Sequence, residues 1–144
     1  MHVRRRFNRP AFTLVEILIV VVILGILAAI VVPQFTNATQ QAQERAAMDQ
    51  LNKVRSAVAV YYLREGGVYP DITAGDGTWG GLMSASYLRE PPVNSWVPGP
   101  AQKIIILGNA PDNAYQTDHG WIFNAATGDL WAGSFDSQDR PIQP

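Results

Sequence analysis

The chain has 144 residues, no cysteine, 47% apolar side chains and only 16% charged ones. This length allows one small domain and hardly a second, which excludes most multidomain enzymes. A sequence without cysteine also excludes a disulfide framework, a cysteine-based zinc site and a thiol nucleophile.

Basic residues are concentrated at the amino terminus. Residues 1–11 carry four arginines and no acid, whereas residues 12–144 carry seven basic and twelve acidic side chains, a net charge of −5. A basic segment directly before a hydrophobic run marks the part of a membrane protein that stays in the cytoplasm. We therefore expect residues 1–11 to stay inside the cell and the bulk of the chain to lie outside.

Residues 12–33 form one hydrophobic run, with a single charged residue, Glu16, and with Pro33 at its end. As a helix, this run would be roughly 33 Å long, close to the ~30 Å hydrocarbon thickness of a bilayer. The apolar core of an ordinary secretory signal peptide is shorter, at about 7 to 15 residues. The run therefore predicts a helix that spans a membrane once.

Glu16 is the informative residue of this run. An ionised carboxylate in a membrane helix costs about 2.5–3.5 kcal/mol at the centre of the bilayer and less towards an end. Two interpretations are open: the side chain reaches headgroup water, or it pairs with a cation. Cleavage before Phe12 would create such a cation, the new α-amine of a neighbouring copy. That pair would favour lateral assembly in one axial register.

The sequence that leads into the run reads Arg9-Pro10-Ala11-Phe12-Thr13-Leu14-Val15-Glu16. With the apolar run and Pro33, it resembles the amino terminus of the type IV pilin and type II secretion pseudopilin family. The resemblance implies that a prepilin peptidase cuts between Ala11 and Phe12 and methylates the new amine of Phe12. The family usually has Gly before the cut. Because Ala11 is the smallest side-chain replacement, we expect processing to proceed, but more slowly.

The same resemblance gives roles to two residues inside the run. It implies that Glu16 aids assembly and that Pro33 bends or locally melts the helix. Proline lacks the backbone donor and adds a ring, so a disturbance near this position is also expected on physical grounds. A simple kink and a functional hinge are both open.

Residues 34–65 predict an amphipathic stem helix. They contain no Gly or Pro, and apolar side chains recur on one face at steps of three and four, namely Ala47, Leu51, Val54, Val58 and Tyr61. Gly66 and Gly67 should end the helix. An unbroken helix over residues 12–65 would be about 80 Å long, so its first half must find lipid or other copies of the chain as partners.

Residues 66–144 predict a loop-rich head that is dense in Gly and Pro. Strand-like runs occur at Lys103–Leu107, Gly120–Asn124 and Asp129–Ala132, and the last two form an antiparallel hairpin. A short helix is expected around Leu82 to Leu88. The predicted fold is α+β and pilin-like: a long amino-terminal helix packed on a small antiparallel sheet.

Major pseudopilins often bind calcium through acidic residues of the carboxyl-terminal loop, which makes Asp129, Asp136 and Asp139 weak candidates for metal ligands. Calcium takes about six to eight oxygen ligands, and these acids do not form a dense ligand run. We expect a solvated acidic surface, with no metal and no cofactor.

Other functions are disfavoured by the head. After cleavage His119 is the only histidine, and the sequence has no Ser-His-acid spacing and no phosphate-binding loop, so we expect no catalysis. Beyond residue 65 there are three basic residues against eight acids, which disfavours nucleic-acid binding. Adhesion is conceivable through the four tryptophans, but these are more often buried anchors of a small core: Trp79, Trp96, Trp121 and Trp131.

These features predict a non-enzymatic subunit of the pseudopilus of a type II secretion system. The alternative is a type IV pilus subunit acting in adhesion, motility or DNA uptake. The expected parts are a removed leader (1–11), a membrane-spanning helix (12–33), a stem (34–65) and a periplasmic head (66–144). The resemblance implies a single-pass inner-membrane precursor with a cytoplasmic amino terminus. Implied partners are copies of itself, minor pseudopilins, the prepilin peptidase and the inner-membrane assembly platform.

Overall fold

The computed structural model of the chain describes residues 12–72, 79–84 and 86–144. The chain divides into two compact units, one ending at Ala38 and the other beginning at Thr39. The described residues form one long helix, α1 (Leu14–Arg64), two short 3-10 helices and three strands. This is the α+β, pilin-like architecture that the sequence predicts.

The stem part of α1 buries one face in the second unit. The predicted apolar positions Ala47, Leu51 and Val54 are fully buried and Val58 nearly so. Tyr61 is partly buried and packs against the same core. Residues three and four apart lie on one side of a helix, so the amphipathic pattern of the sequence is confirmed.

Two glycines end α1. Gly66 and Gly67 have φ values of 73° and 84°, a left-handed conformation that glycine adopts at no steric cost. The Gly67 N–H donates to the Tyr62 carbonyl at 2.8 Å. This contact, between residues five positions apart, is the 6→1 hydrogen bond of a Schellman motif. The predicted end of the helix is confirmed.

The sheet has three strands in the order β1 (Ile105–Leu107), β2 (Trp121–Phe123) and β3 (Leu130–Ala132). Strands β2 and β3 are antiparallel, which confirms the predicted hairpin. Strands β1 and β2 are parallel, so the sheet is mixed and not wholly antiparallel as expected. The connection through residues 108–120 is long enough to return the chain to the same end of the sheet, as parallel pairing requires.

The predicted short helix around Leu82 to Leu88 is wrong. The chain instead forms a 3-10 helix at Gly80–Leu82 and an isolated bridge between Met83 and Leu88. The Leu88 N–H donates to the Leu82 carbonyl at 3.0 Å, and both leucines are buried. A turn therefore brings these apolar residues into the core. A second 3-10 helix, Gly99–Lys103, has no counterpart in the sequence prediction.

Two indole rings form the centre of the head. Trp79 and Trp121 are fully buried and meet edge to face, with ring centroids 5.8 Å apart. Trp79 Nε1 donates to the Lys103 carbonyl at 3.0 Å. Trp121 Nε1 lies 3.1 Å from the carbonyl oxygens of both Pro92 and Gln102. Because their polar atoms are satisfied, these large rings can be buried without an unpaired donor.

Asn94 is a fully buried polar residue that connects the loops around the sheet. Its Nδ2 donates to the carbonyls of Gly120 and Gly133, each at 2.9 Å, and its Oδ1 accepts from the Trp96 N–H at 3.0 Å. One side chain thus ties the start of β2 to the end of β3. Nothing in the sequence pattern around Asn94 predicts this role.

Candidate functional site

The candidate functional site is the amino-terminal end of α1, where Thr13 and Glu16 form a reciprocal cap. Glu16 Oε2 accepts from the Thr13 N–H at 2.9 Å and from Thr13 Oγ1 at 3.0 Å. The Glu16 N–H donates to Thr13 Oγ1 at 3.2 Å. A threonine before the first helical residue with a glutamate three positions later is a capping box, which satisfies amides that have no partner within the helix.

The cap gives Glu16 a partner within its own chain. Glu16 is the single charged residue of the apolar run, and its contact with Thr13 was not predicted. The signal for Thr13 is nevertheless in the sequence, since Thr-x-x-Glu before an apolar run is the pattern of a capping box. Both bonds from Thr13 go to Oε2. Pairing of Glu16 with the amine of a neighbouring copy stays a prediction.

Phe12 is the residue that cleavage would leave at the amino terminus. It lies before the capping residue, outside the helix, and its side chain is 79% exposed. Ala11 and the rest of the leader, residues 1–11, lie outside the described residues. Cleavage between Ala11 and Phe12 and methylation of Phe12 stay predictions.

The first part of α1 presents large apolar side chains to its surroundings. Those between Leu14 and Val32 have exposed fractions from 43% to 81%. Among the residues that the structure describes, α1 is the one helix long and apolar enough to cross a membrane. The backbone stays helical at Pro33, and the predicted perturbation of the helix by this proline stays a prediction.

The three acids considered as calcium ligands have different hydrogen-bond partners. Asp139 Oδ2 and Oδ1 accept from Arg55 Nη1 and Nη2 at 2.6 and 2.9 Å. Asp129 Oδ2 accepts from Thr127 Oγ1 at 2.6 Å, and Asp136 Oδ2 accepts from the Arg140 guanidinium. Within the described ranges, no group of three or more His, Cys, Asp or Glu residues could hold a metal ion. Each of the three carboxylates has a hydrogen-bond partner within the chain, and a head without a bound metal stays a prediction.

His119 belongs to a polar cluster in the connection between β1 and β2. Its Nε2 is buried and lies 3.3 Å from Asp112 Oδ2, an oxygen that also accepts from the Ser134 N–H at 2.7 Å. Ser134 Oγ donates to the Gln116 carbonyl at 2.7 Å. Because the hydroxyl bonds to backbone and not to the imidazole, the cluster braces a loop and lacks the geometry of an activated nucleophile.

The tryptophans do not form an adhesive surface. Trp79, Trp96 and Trp121 are buried, and Trp131 is partly buried. Trp96 packs edge to face on Phe135, and its Nε1 donates to the Ile142 carbonyl at 3.0 Å. The prediction that these residues are core anchors is confirmed for the three buried rings.

Comparisons with known proteins found a family model and curated relatives. A family model described as the prokaryotic N-terminal methylation motif matches residues 6–32. The type II secretion system core protein G of Pseudomonas aeruginosa is 41% identical over 71 residues, which is 49% of each chain. The type IV major pilin protein PilE of Neisseria gonorrhoeae is 37% identical over 81 residues, 56% of this chain and 46% of that protein.

One further relative extends the similarity into the head. The type II secretion system core protein G of Dickeya chrysanthemi is 29% identical over 128 residues, 77% of this chain and 83% of that protein. The chain spans about half the length of the first curated relatives that it matches. No solved structure matches it significantly. By its methylation motif and these alignments, the chain is similar to type IV pilins and to the core protein G of type II secretion systems.

Proposed function

We propose that this chain is a structural, non-enzymatic subunit of the pseudopilus of a type II secretion system. The observation that carries the proposal is the capped helix end followed by exposed apolar side chains from Leu14 to Val32. An apolar surface of this extent needs lipid or other apolar helices around it. A subunit that passes from a bilayer into a polymer meets both needs in turn. The similarity to core protein G over most of the chain supports the secretion system in particular.

In this proposal the precursor is a single-pass protein of the inner membrane. The four arginines of residues 1–11 hold that segment in the cytoplasm, and the head lies in the periplasm. The prepilin peptidase cuts between Ala11 and Phe12 and methylates Phe12. The new amine then lies four residues before Glu16, where it can pair with that carboxylate on a neighbouring copy. Pro33 lies where the backbone is helical in this structure, and we expect it to bend or locally melt the helix.

The proposed partners follow from the same assembly. Copies of this chain form the body of the filament, with minor pseudopilins, the prepilin peptidase and the inner-membrane assembly platform as further partners. A nucleic acid is not among them, because acids outnumber bases in the head by eight to three, and phosphate binding requires clustered bases.

A second function is favoured by one observation, the similarity to the major pilin PilE over 56% of this chain. In that case the filament is a type IV pilus that acts outside the cell in adhesion, motility or DNA uptake. The two filaments share the processing step and the membrane helix, so the amino-terminal site fits both.

Deletion of the gene separates the two functions. For a pseudopilin, secreted enzymes should accumulate in the periplasm and return to the medium when the gene is restored. Loss of extracellular filaments in electron micrographs, with secretion unchanged, would instead assign the chain to a pilus. Mass spectrometry of the assembled protein should detect methylated Phe12 at the amino terminus. An intact Met1 end in the filament would contradict both functions.

A further inference from the structure

Arg55 connects three parts of the second unit. It lies on the stem part of α1, and its Nε donates to the Leu130 carbonyl of β3 at 3.0 Å. Its two terminal nitrogens donate to the two carboxylate oxygens of Asp139, at 2.6 and 2.9 Å. A two-point contact of this kind is among the stronger hydrogen-bonded ion pairs in proteins and fixes the relative orientation of its partners. Helix, sheet and carboxyl-terminal segment therefore meet at one guanidinium.

The carboxyl-terminal segment is folded back on itself at this contact. Phe135 and Pro141 form an antiparallel bridge, and the Ile142 N–H donates to the Ser134 carbonyl at 2.8 Å. Asp139, in the turn between them, has a φ of 56°. That left-handed conformation is uncommon for a residue other than Gly, Asn or Asp. The turn thus presents the Asp139 carboxylate to Arg55.

The second acid of the turn is also fully engaged. Asp136 Oδ1 accepts from the backbone N–H groups of Gln138 and Arg140 at 2.8 and 3.0 Å. Asp136 Oδ2 accepts from Arg140 Nε at 2.9 Å and lies 2.8 Å from Arg140 Nη2. Four carboxylate oxygens in this turn are therefore already occupied by N–H donors, most of them on cationic side chains.

A divalent cation would have to displace N–H donors at Asp136 or share the Asp139 carboxylate with the Arg55 guanidinium. Calcium takes about six to eight oxygen ligands, and an ion bound to Asp139 would lie next to the positive charge of Arg55, which repels it. We propose that the Arg55 guanidinium, and not a bound divalent cation, closes the carboxyl-terminal loop of this chain onto the stem. The proposal goes beyond the proposed function, because it concerns the stability of the head in either kind of filament.

The first test is the effect of calcium on the full-length processed chain in detergent micelles. Scanning calorimetry is run in a chelator and again in millimolar calcium chloride, with magnesium chloride as the control salt. The expected result is a head transition whose Tm agrees within about 1 °C in all three. An ion that binds the folded head with a Kd well below its concentration would raise the Tm by several degrees. A rise in calcium alone would overturn the proposal.

The second test removes each partner of the pair. Arg55→Ala and Asp139→Asn should each lower the Tm by roughly 3–8 °C and speed hydrogen exchange at the Ile142 amide about tenfold. Asn tolerates the left-handed conformation of residue 139, so Asp139→Asn keeps the turn and remains informative if Arg55→Ala fails to fold. Lys53→Ala is the matched control, because Lys53 is an exposed base on the same helix. Variants as stable as this control would overturn the proposal.

Discussion

At the scale of single residues, the carboxylate of Glu16 has two possible tasks. It accepts two hydrogen bonds from Thr13, and a helix cap of this type contributes about 0.5–2 kcal/mol to helix stability. The cap uses the oxygen and not the charge. Pairing with an amine of a neighbouring copy uses the charge. The two tasks can therefore be separated by substitution.

Glu16→Ala removes both the cap and the charge, whereas Glu16→Gln keeps an oxygen that can accept from Thr13. We expect both variants to insert into the membrane and to lose most filaments, because the pair with the amine requires an ionised group. Electron microscopy of sheared filaments and membrane fractionation measure the two effects. If Glu16→Ala forms normal filaments, the pairing with the amine is contradicted. If Glu16→Gln forms normal filaments and Glu16→Ala does not, the loss of filaments in Glu16→Ala is due to the lost helix cap.

Thr13→Val is the control for the cap. This variant keeps the shape of the side chain and the charge of Glu16 but loses the hydroxyl group. It should form filaments while the first turn of α1 exchanges its amide hydrogens faster, by about fivefold for a loss of ~1 kcal/mol.

Asp136 should make the head sensitive to acid. Hydrogen bonds from the backbone and side chain of Arg140 hold the pKa of Asp136 below its ordinary value of 3.8. Ionised Asp136 therefore stabilises the head fully at pH values above its ordinary pKa, and this stabilisation is lost as the pH falls through the lowered pKa. Calorimetry at a series of acidic pH values should show that the Tm of the Asp136→Asn variant falls less steeply with decreasing pH than the Tm of the unaltered chain. An equally steep fall of the Tm in this variant would contradict the role of Asp136 in the acid sensitivity.

At the scale of elements, a few buried side chains pack the stem helix against the core of the head. Leu51 is fully buried, whereas Leu63, on the same helix, is 79% exposed. We expect Leu51→Ala to lower the free energy of unfolding by about 2–5 kcal/mol and Leu63→Ala to change it by less than about 0.5 kcal/mol. Chemical denaturation of the processed chain in micelles measures both. Equal effects would mean that the stem does not pack as described.

Elements with a strong local pattern are predictable from this sequence. The apolar face of the stem, the stop at Gly66-Gly67 and the β2–β3 hairpin all follow from periodicity or turn residues. The parallel pairing of β1 does not, because a three-residue strand carries no signal for its partner. The expected helix around Leu82 to Leu88 fails for a related reason: short apolar runs fit a turn as well as a helix.

Contacts between distant residues are the part that the sequence does not predict. Arg55 and Asp139 are 84 positions apart, and either residue reads as an ordinary surface charge. Asn94 gives no sign of burial, since its three partners are backbone groups. Thr13 is different, because its capping pattern is visible in the sequence but lies inside a more conspicuous apolar run.

At the scale of the whole molecule, the division at Ala38 and Thr39 separates an exposed apolar segment from a unit with its own core. A shortened chain that begins near Gln34 should be soluble and monomeric, because the large apolar side chains up to Val32 are absent. Size-exclusion chromatography with light scattering measures its mass. Stable polymers of this shortened chain would contradict the view that assembly depends on the first half of α1.

All four tryptophans of the chain lie beyond the stem helix, at positions 79, 96, 121 and 131. The rings of Trp79 and Trp121 lie at 72° to each other with centroids 5.8 Å apart. At this distance their electronic transitions can couple. The near-ultraviolet circular dichroism of the protein should therefore carry a strong signal from this ring pair. That signal would follow the folding of the head without interference from lipid, detergent or the membrane helix, and no dye would have to be attached.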